Sequence, residues 1–134
     1  MDNLTLSNAS PWTFGGESAP LSTSGPTVTL IDGRTFCISE TSGDISDHGP
    51  QGLFVLDTRY VSNLKFLIEG DSIETLGVDQ KNAFSADFVG RHVGGTKVAD
   101  TPTVAIRSRK INRGLFERIE VRNYGEKPLT LIVS

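Results

Sequence analysis

Cysteine is almost missing: Cys37 is the single one in 134 residues, so neither an internal disulfide nor a cysteine metal cluster can form. Tryptophan occurs once and tyrosine twice, which leaves few large amphipathic rings on which a sugar or a base could stack. No apolar run approaches the ~20 residues of a membrane-spanning helix, so no membrane partner is expected. The opening "MDNLTLSNAS" has no basic n-region and no apolar h-region, which makes the cytoplasm the expected location. Positive charge is not in excess either. The net charge of −3 argues against a nucleic-acid partner. The phosphate-cradling patterns GxxxxGK[ST] and GxGxxG do not occur, and no cofactor is expected. Helical periodicity is absent as well: no window holds a convincing 3.6-residue pattern over the ~11 residues of an average helix.

What is present reads as strands. Residues 1–26 stand apart, because "SNASPWTFGGESAPLSTSGP" has the Ser/Gly/Pro composition of a flexible leader. Trp12 and Phe14 are its two candidates for anchoring it to a surface. From Thr27 the segments "TVTLI" and "RTFCIS" flank Asp32-Gly33, and residues 27–39 are expected to form a two-residue hairpin. "ETSGD" makes a polar loop. "GLFVLDTRYVSNLKFLIEG" divides near Asp57 into a short apolar strand and a long one. "IETLGVD" and "AFSADFVG" are weaker strand candidates, with room for one short helix near Lys81–Ser85. "RHVGGTKVADTP" reads as a long loop that would leave His92 in solvent. "TVAIRSRKI" and "LFERIEVRN" form the last hairpin. A four-residue loop, Ile111 to Gly114, is expected there. It should set Val104 and Ile106 on one face with Ile119 and Val121, with Lys110 opposite Glu117 and Arg107 opposite Glu120. Strands every ~8–12 residues separated by turns predict an all-β antiparallel sandwich or barrel over residues 27–134. The closing "LTLIVS" begins another strand and stops inside an apolar run. It is expected to be the edge of a fragment cut from a longer protein, or an exposed edge through which two copies pair as a homo-oligomer.

The chemistry-bearing residues concentrate in "GDISDHGPQGLFVLDTRY". Asp44, Asp47 and Asp57 could supply the carboxyl pair of a glycosidase. Aspartates beside glycine and serine, however, usually bond their own turn, and Asp44 and Asp47 sit in such a context. Asp57 and Arg59 lie two apart on extended chain and so share a face. They could pair with each other or grip a ligand hydroxyl. His48 has no nucleophile arranged around it, no GxSxG elbow occurs, and Cys37 sits mid-strand as a small buried hydrophobe. "GDISDHG" lacks the closing glutamate of an EF-hand, so no metal is expected. "RSRKINRG" gathers Arg107, Arg109, Lys110 and Arg113, with Glu117 and Glu120 across the hairpin. A solvated, charge-paired strand face is the simpler expectation for it, and anion or sugar-hydroxyl contact is the other.

The order of these pieces carries a resemblance. A hairpin with Gly33 and Phe36 comes first, then the Gly43-Asp44 turn and the Gly52-Leu53-Phe54 strand. Asp57-Thr58-Arg59 follows, then a strand ending at Gly70, then Arg107 and Arg109. Glu117-Arg118 and a turn with Asn123, Gly125 and Pro128 complete the series. Together they resemble the N-terminal domain of bacterial glycogen debranching enzymes of the amylo-α-1,6-glucosidase type. The series runs from the first hairpin to the end of the chain and leaves the leader outside. The resemblance implies a supersandwich-like β module placed before a helical catalytic domain, which would be its C-terminal partner and would hold the catalytic carboxylates. This chain would then carry no catalytic residue. Contact with α-glucan, if made, is expected at Asp57 and Arg59, and next at Arg107 and Arg109. A stand-alone carbohydrate-binding domain, a small hydrolase using Asp44 or Asp57, and an assembly domain are the competing expectations.

Overall fold

The computed structural model describes residues 25–93 and 103–134. The leader's Trp12 and Phe14 and most of the "RHVGGTKVADTP" loop lie outside these residues. Among the described residues nine strands run in chain order: β1 Thr27–Asp32, β2 Thr35–Glu40, β3 Gly52–Val55, β4 Thr58–Val61, β5 Leu67–Ile68, β6 Asp71–Asn82, β7 Ser85–His92, β8 Thr103–Ile111 and β9 Leu115–Asn123. They form a four-stranded sheet, β1-β2-β3-β4, and a five-stranded sheet, β9-β8-β7-β6-β5. Every pairing is antiparallel between neighbours in sequence. The described residues contain no helix, so the expected all-β sandwich class holds.

The first hairpin forms with its turn one residue later than Asp32-Gly33 suggested. Asp32 pairs with Thr35, leaving Gly33-Arg34 as the loop. Gly33 is left-handed at φ 65° and Arg34 is not. That sign pattern belongs to a type II′ turn, which wants glycine at its first central position.

The long strand expected after Asp57 does not exist as one element. Val55 pairs directly with Thr58, so Leu56 and Asp57 are themselves a two-residue hairpin loop. Both have positive φ, 50° and 68°, as a type I′ turn requires. The chain then leaves β4 at Val61 and joins the other sheet at Leu67. Between them Leu64 bridges to Ile45. Lys81–Ser85 is a hairpin rather than a helix: β6 and β7 are joined through Ala83 and Phe84. Register shifts at Thr75/Gly77 and Gln80/Asn82 mark bulges in β6. Bulges bend a strand and raise its twist, and one of the two sheets curls into a half-barrel.

The last hairpin departs most from expectation. Leu115 pairs with Ile111, so the loop is Asn112–Gly114, three residues long, with Arg113 left-handed at φ 62°. An odd loop reverses the face pairing. Glu117 lies opposite Arg109, Ile119 opposite Arg107, and Glu120 opposite Ile106. Val104 and Ile106 therefore do not share a face with Ile119 and Val121.

The core has two clusters, the first drawn from both sheets and the second from the five-stranded sheet with Phe66 just before it. Leu30, Cys37, Ile45, Leu53, Ala86, Phe88 and Ile111 make the first, and Phe66, Ile68 and Ala105 the second. Cys37 is the buried small hydrophobe that its strand position suggested, at 1% exposure. Burial raises its thiol pKa above the ordinary value near 9, with Arg109 pulling the other way. The unfolded chain therefore releases the thiol proton first as pH rises. Stability is intact below the ordinary thiol value and falls as pH climbs through the raised one. Ellman's reagent should label Cys37 only slowly in the native chain and fully after guanidinium denaturation. Rapid native labelling would show that the β2 packing is wrong.

The C-terminal segment is not a full strand. Val133 bridges Ile68, and Leu67 and Ser134 exchange both backbone hydrogen bonds at 2.9 and 3.0 Å. The segment thus closes over the β5 edge, leaving Leu129, Ile132 and Val133 with exposed side chains.

Candidate functional site

The strand β8 alternates strictly, and the alternation points the arginines inward. Thr103, Ala105, Arg107, Arg109 and Ile111 are buried, while Val104, Ile106 and Ser108 are half-covered on the other face. Arg107 and Arg109 are 2% and 1% exposed. The expectation of a solvated strand face is corrected for these two, and Glu117 pairs with them in place of the expected Lys110.

Burying two guanidinium groups is costly unless each donor finds an acceptor. Arg109 donates from Nε to Glu117 Oε2 at 2.9 Å and from Nη2 to the Gly43 carbonyl at 2.6 Å. Arg107 donates from Nη1 to Asp44 Oδ1 at 2.6 Å and to the Ser42 carbonyl at 3.2 Å, and from Nη2 to Glu117 Oε1 at 3.2 Å. The Glu117 carboxylate thus bridges both arginines. Two cations face two carboxylates, so the cluster is electrically balanced. Aromatic faces complete the surroundings. The Arg109 Cζ lies 5.0 Å from the Phe88 ring centroid and the Arg107 Cζ 5.7 Å from that of Phe66, a geometry that favours a cation over the ring. Phe88 belongs to the first apolar cluster and Phe66 to the second, so the network is a polar seam between the two.

Asp44 is structural, but not as a local turn former. Its Oδ1 accepts from Arg107 and from the Phe66 N–H, which donates at 3.1 Å. The turn itself is held by backbone bonds, Glu40 N–H to the Asp44 carbonyl and Gly43 N–H to the Glu40 carbonyl, each 2.9 Å. Asp44 and the Gly43 carbonyl therefore tie the β2–β3 connection to the five-stranded sheet.

The Asp57 and Arg59 region is a different kind of site. Phe36, Phe54 and Arg59 are cross-strand partners on β2, β3 and β4. The two phenyl rings stack at 4.8 Å with 13° between planes, and the Arg59 Cζ lies 5.4 Å from the Phe54 ring. Arg59 Nη2 donates to the Gly49 carbonyl at 3.0 Å. Asp57 stands at the hairpin tip, its carboxylate 3.7 Å from Arg34 Nη2 with both side chains in solvent. The same-face pair foreseen for Asp57 and Arg59 is replaced by two separate partners, because Asp57 is a turn residue rather than a strand residue.

Two histidines resolve differently. His48 is exposed, with Nδ1 at 3.0 Å from Asp47. His92 is not in solvent: it ends β7 at 7% exposure, with Nε2 3.4 Å from Asp71 Oδ2. Among the described residues no group of three or more His, Cys, Asp or Glu side chains gathers as metal ligands.

These features define a two-sheet antiparallel β domain whose arginine–carboxylate cluster is buried and charge-balanced rather than open to a substrate. The family model describing the N-terminal domain of (some) glycogen debranching enzymes matches residues 30–134, and the chain belongs to that family. No curated protein and no solved structure shows significant similarity to it.

Proposed function

We propose that this chain is a non-catalytic module of a cytoplasmic glycogen debranching enzyme with amylo-α-1,6-glucosidase (glycoside hydrolase) activity. In this reading it supports a catalytic domain that follows it in the parent protein. The observation that carries the reading is the condition of the carboxylates. A glycosidase needs an acid in dry, apolar surroundings and a second carboxyl group set across the scissile bond. Asp44 instead faces Arg107, and the Asp57 side chain is 88% exposed.

The supporting surface is the edge of β9. Among the described residues this nine-residue strand has a neighbour on one side only, and it presents Phe116, Ile119 and Val121 to solvent at 59%, 39% and 39%. Long edges with apolar side chains are normally covered, here by the parent's next domain. A second copy seated along Leu129–Val133 is the competing occupant, and sedimentation of the isolated chain as a dimer would favour it. For α-glucan, Asp57 and Arg59 are the proposed surface contacts. Arg107 and Arg109 would serve it from beneath by fixing the Gly43-Asp44 turn.

An NMR titration with maltoheptaose, following the sugar's anomeric signals in the same tube, tests this. Amide shifts around Asp57 and Arg59 without new reducing ends are expected. New reducing ends that vanish in Asp57→Asn would overturn the non-catalytic reading. No shifts and no product at millimolar sugar would leave support as the domain's sole role.

A further inference from the structure

Three hairpin ends meet beside the first turn and border an open, solvent-facing cavity of about 260 Å³, lined by Asp32, Phe84, Lys110, Ile111 and Asn112. The walls are fixed by backbone bonds between hairpins: Ile31 N–H donates to the Ala83 carbonyl at 2.8 Å, and Ile111 N–H to the Phe84 carbonyl at 2.9 Å. Asn82 holds the Phe84 turn further, its Oδ1 accepting from the Phe84 N–H at 3.0 Å and from the Ser85 hydroxyl at 2.9 Å. The polar lining is unspent. Among the described residues the side chains of Asp32, Lys110 and Asn112 make no hydrogen bond or ion pair, whereas Asp44, Glu117 and both inward arginines are ion-paired, with Arg107 Nε buried and without a hydrogen-bond partner.

We propose that this cavity binds one pyranose ring of a neutral glucan. Four features select that ligand. The volume lies just under the ~300–1,000 Å³ of sites for drug-sized ligands, which suits one ring rather than a longer segment inside the cavity. One carboxylate and one ammonium cancel in charge, which favours a neutral ligand over an anion. A carboxylate accepts, an ammonium donates and a carboxamide does both, so the trio matches a ring of hydroxyls that each can do either. Phe84, 37% exposed, offers a phenyl face for the C–H side of the ring. Asp32 and Arg34 flank the same turn, and Arg34 contacts Asp57. A glucan seated in the cavity can therefore continue across Gly33 toward Asp57. The inference rests on the glucan-contact part of the proposed function and locates that contact.

The test is a ¹H–¹⁵N titration of the full chain with maltotriose, repeated on Phe84→Ala and Lys110→Ala. Both positions are partly or fully exposed, so melting curves should stay close to wild type and confirm folding. Shifts are expected at the amides of Asp32, Phe84, Asn112 and the Asn112 carboxamide. Each variant should bind about tenfold more weakly. Shifts confined to Asp57 and Arg59, unchanged in both variants, would overturn the cavity while leaving surface contact with glucan intact. Absence of any shift at millimolar maltotriose would overturn both and leave the supporting role standing. Equal affinity of wild type and Lys110→Ala, with cavity shifts retained, would remove the ammonium from the site and with it the charge-balance argument.

Discussion

Arg109→Ala is expected to lose about 3–5 kcal/mol of folding stability, the cost of breaking a buried ion pair by removing one partner. Few substitutions in this domain should cost more. Arg109 is 1% exposed and serves Glu117, the Gly43 carbonyl and the Phe88 ring together. Its removal leaves a carboxylate facing Arg107 alone and an unpaired carbonyl in the seam between the clusters. A domain of this size has ~5–15 kcal/mol in total, so the variant would be marginal. The loss should shrink when the partner goes too. Arg109→Met combined with Glu117→Leu removes both charges at near-constant volume, and paired replacement of this kind is often neutral or better. Arg107 then keeps Asp44 as its carboxylate. Urea denaturation of wild type, both single variants and the double variant gives the coupling energy directly. A single-variant loss below about 1 kcal/mol, the range of exposed pairs, would refute the buried seam.

Gly52→Ala should destabilise by about 2–4 kcal/mol, combining an unfavourable backbone region with overpacking. Gly52 sits at φ 152° at the start of β3, and a Cβ there would stand 2.7 Å from the Val61 carbonyl oxygen and 3.1 Å from Arg59 Cγ. The backbone oxygen cannot move without pulling β4 off β3. The stem of Arg59 lies in the space that the missing side chain leaves, so the substitution should also shift Arg59 off Phe54. Gly77→Ala is the natural control, since nothing lies within 4 Å of its Cβ position. Thermal melts of the two variants should differ by well over 5 °C. Equal melting points would mean that the β3–β4 register is not as described.

The two predictions also divide what was legible from what was not. The all-β class, the first hairpin and the ordered series from Gly33 to Pro128 could be read from residue types alone, because turn chemistry and two-residue alternation are local properties. Family membership followed from that series. Arg107 and Arg109 stand out in the sequence as part of its most basic stretch, yet their inward direction is not readable there. Alternation along "TVAIRSRKI" fits two opposite faces, one carrying Val104 and Ile106, the other Ala105 and the arginines. Apolar patterning favours the first. The second wins because Asp44, 63 residues away in the chain, and Glu117 across an odd loop neutralise the charges. Asp57 shows the same limit in reverse: it reads as a strand-end residue until Val55 is seen paired with Thr58. The cavity had no signal in sequence at all. Asp32, Phe84, Lys110 and Asn112 belong to three hairpins and share no motif. They meet only because the two sheets pack with those hairpin ends together, a long-range arrangement set by burial of the core rather than by any local preference.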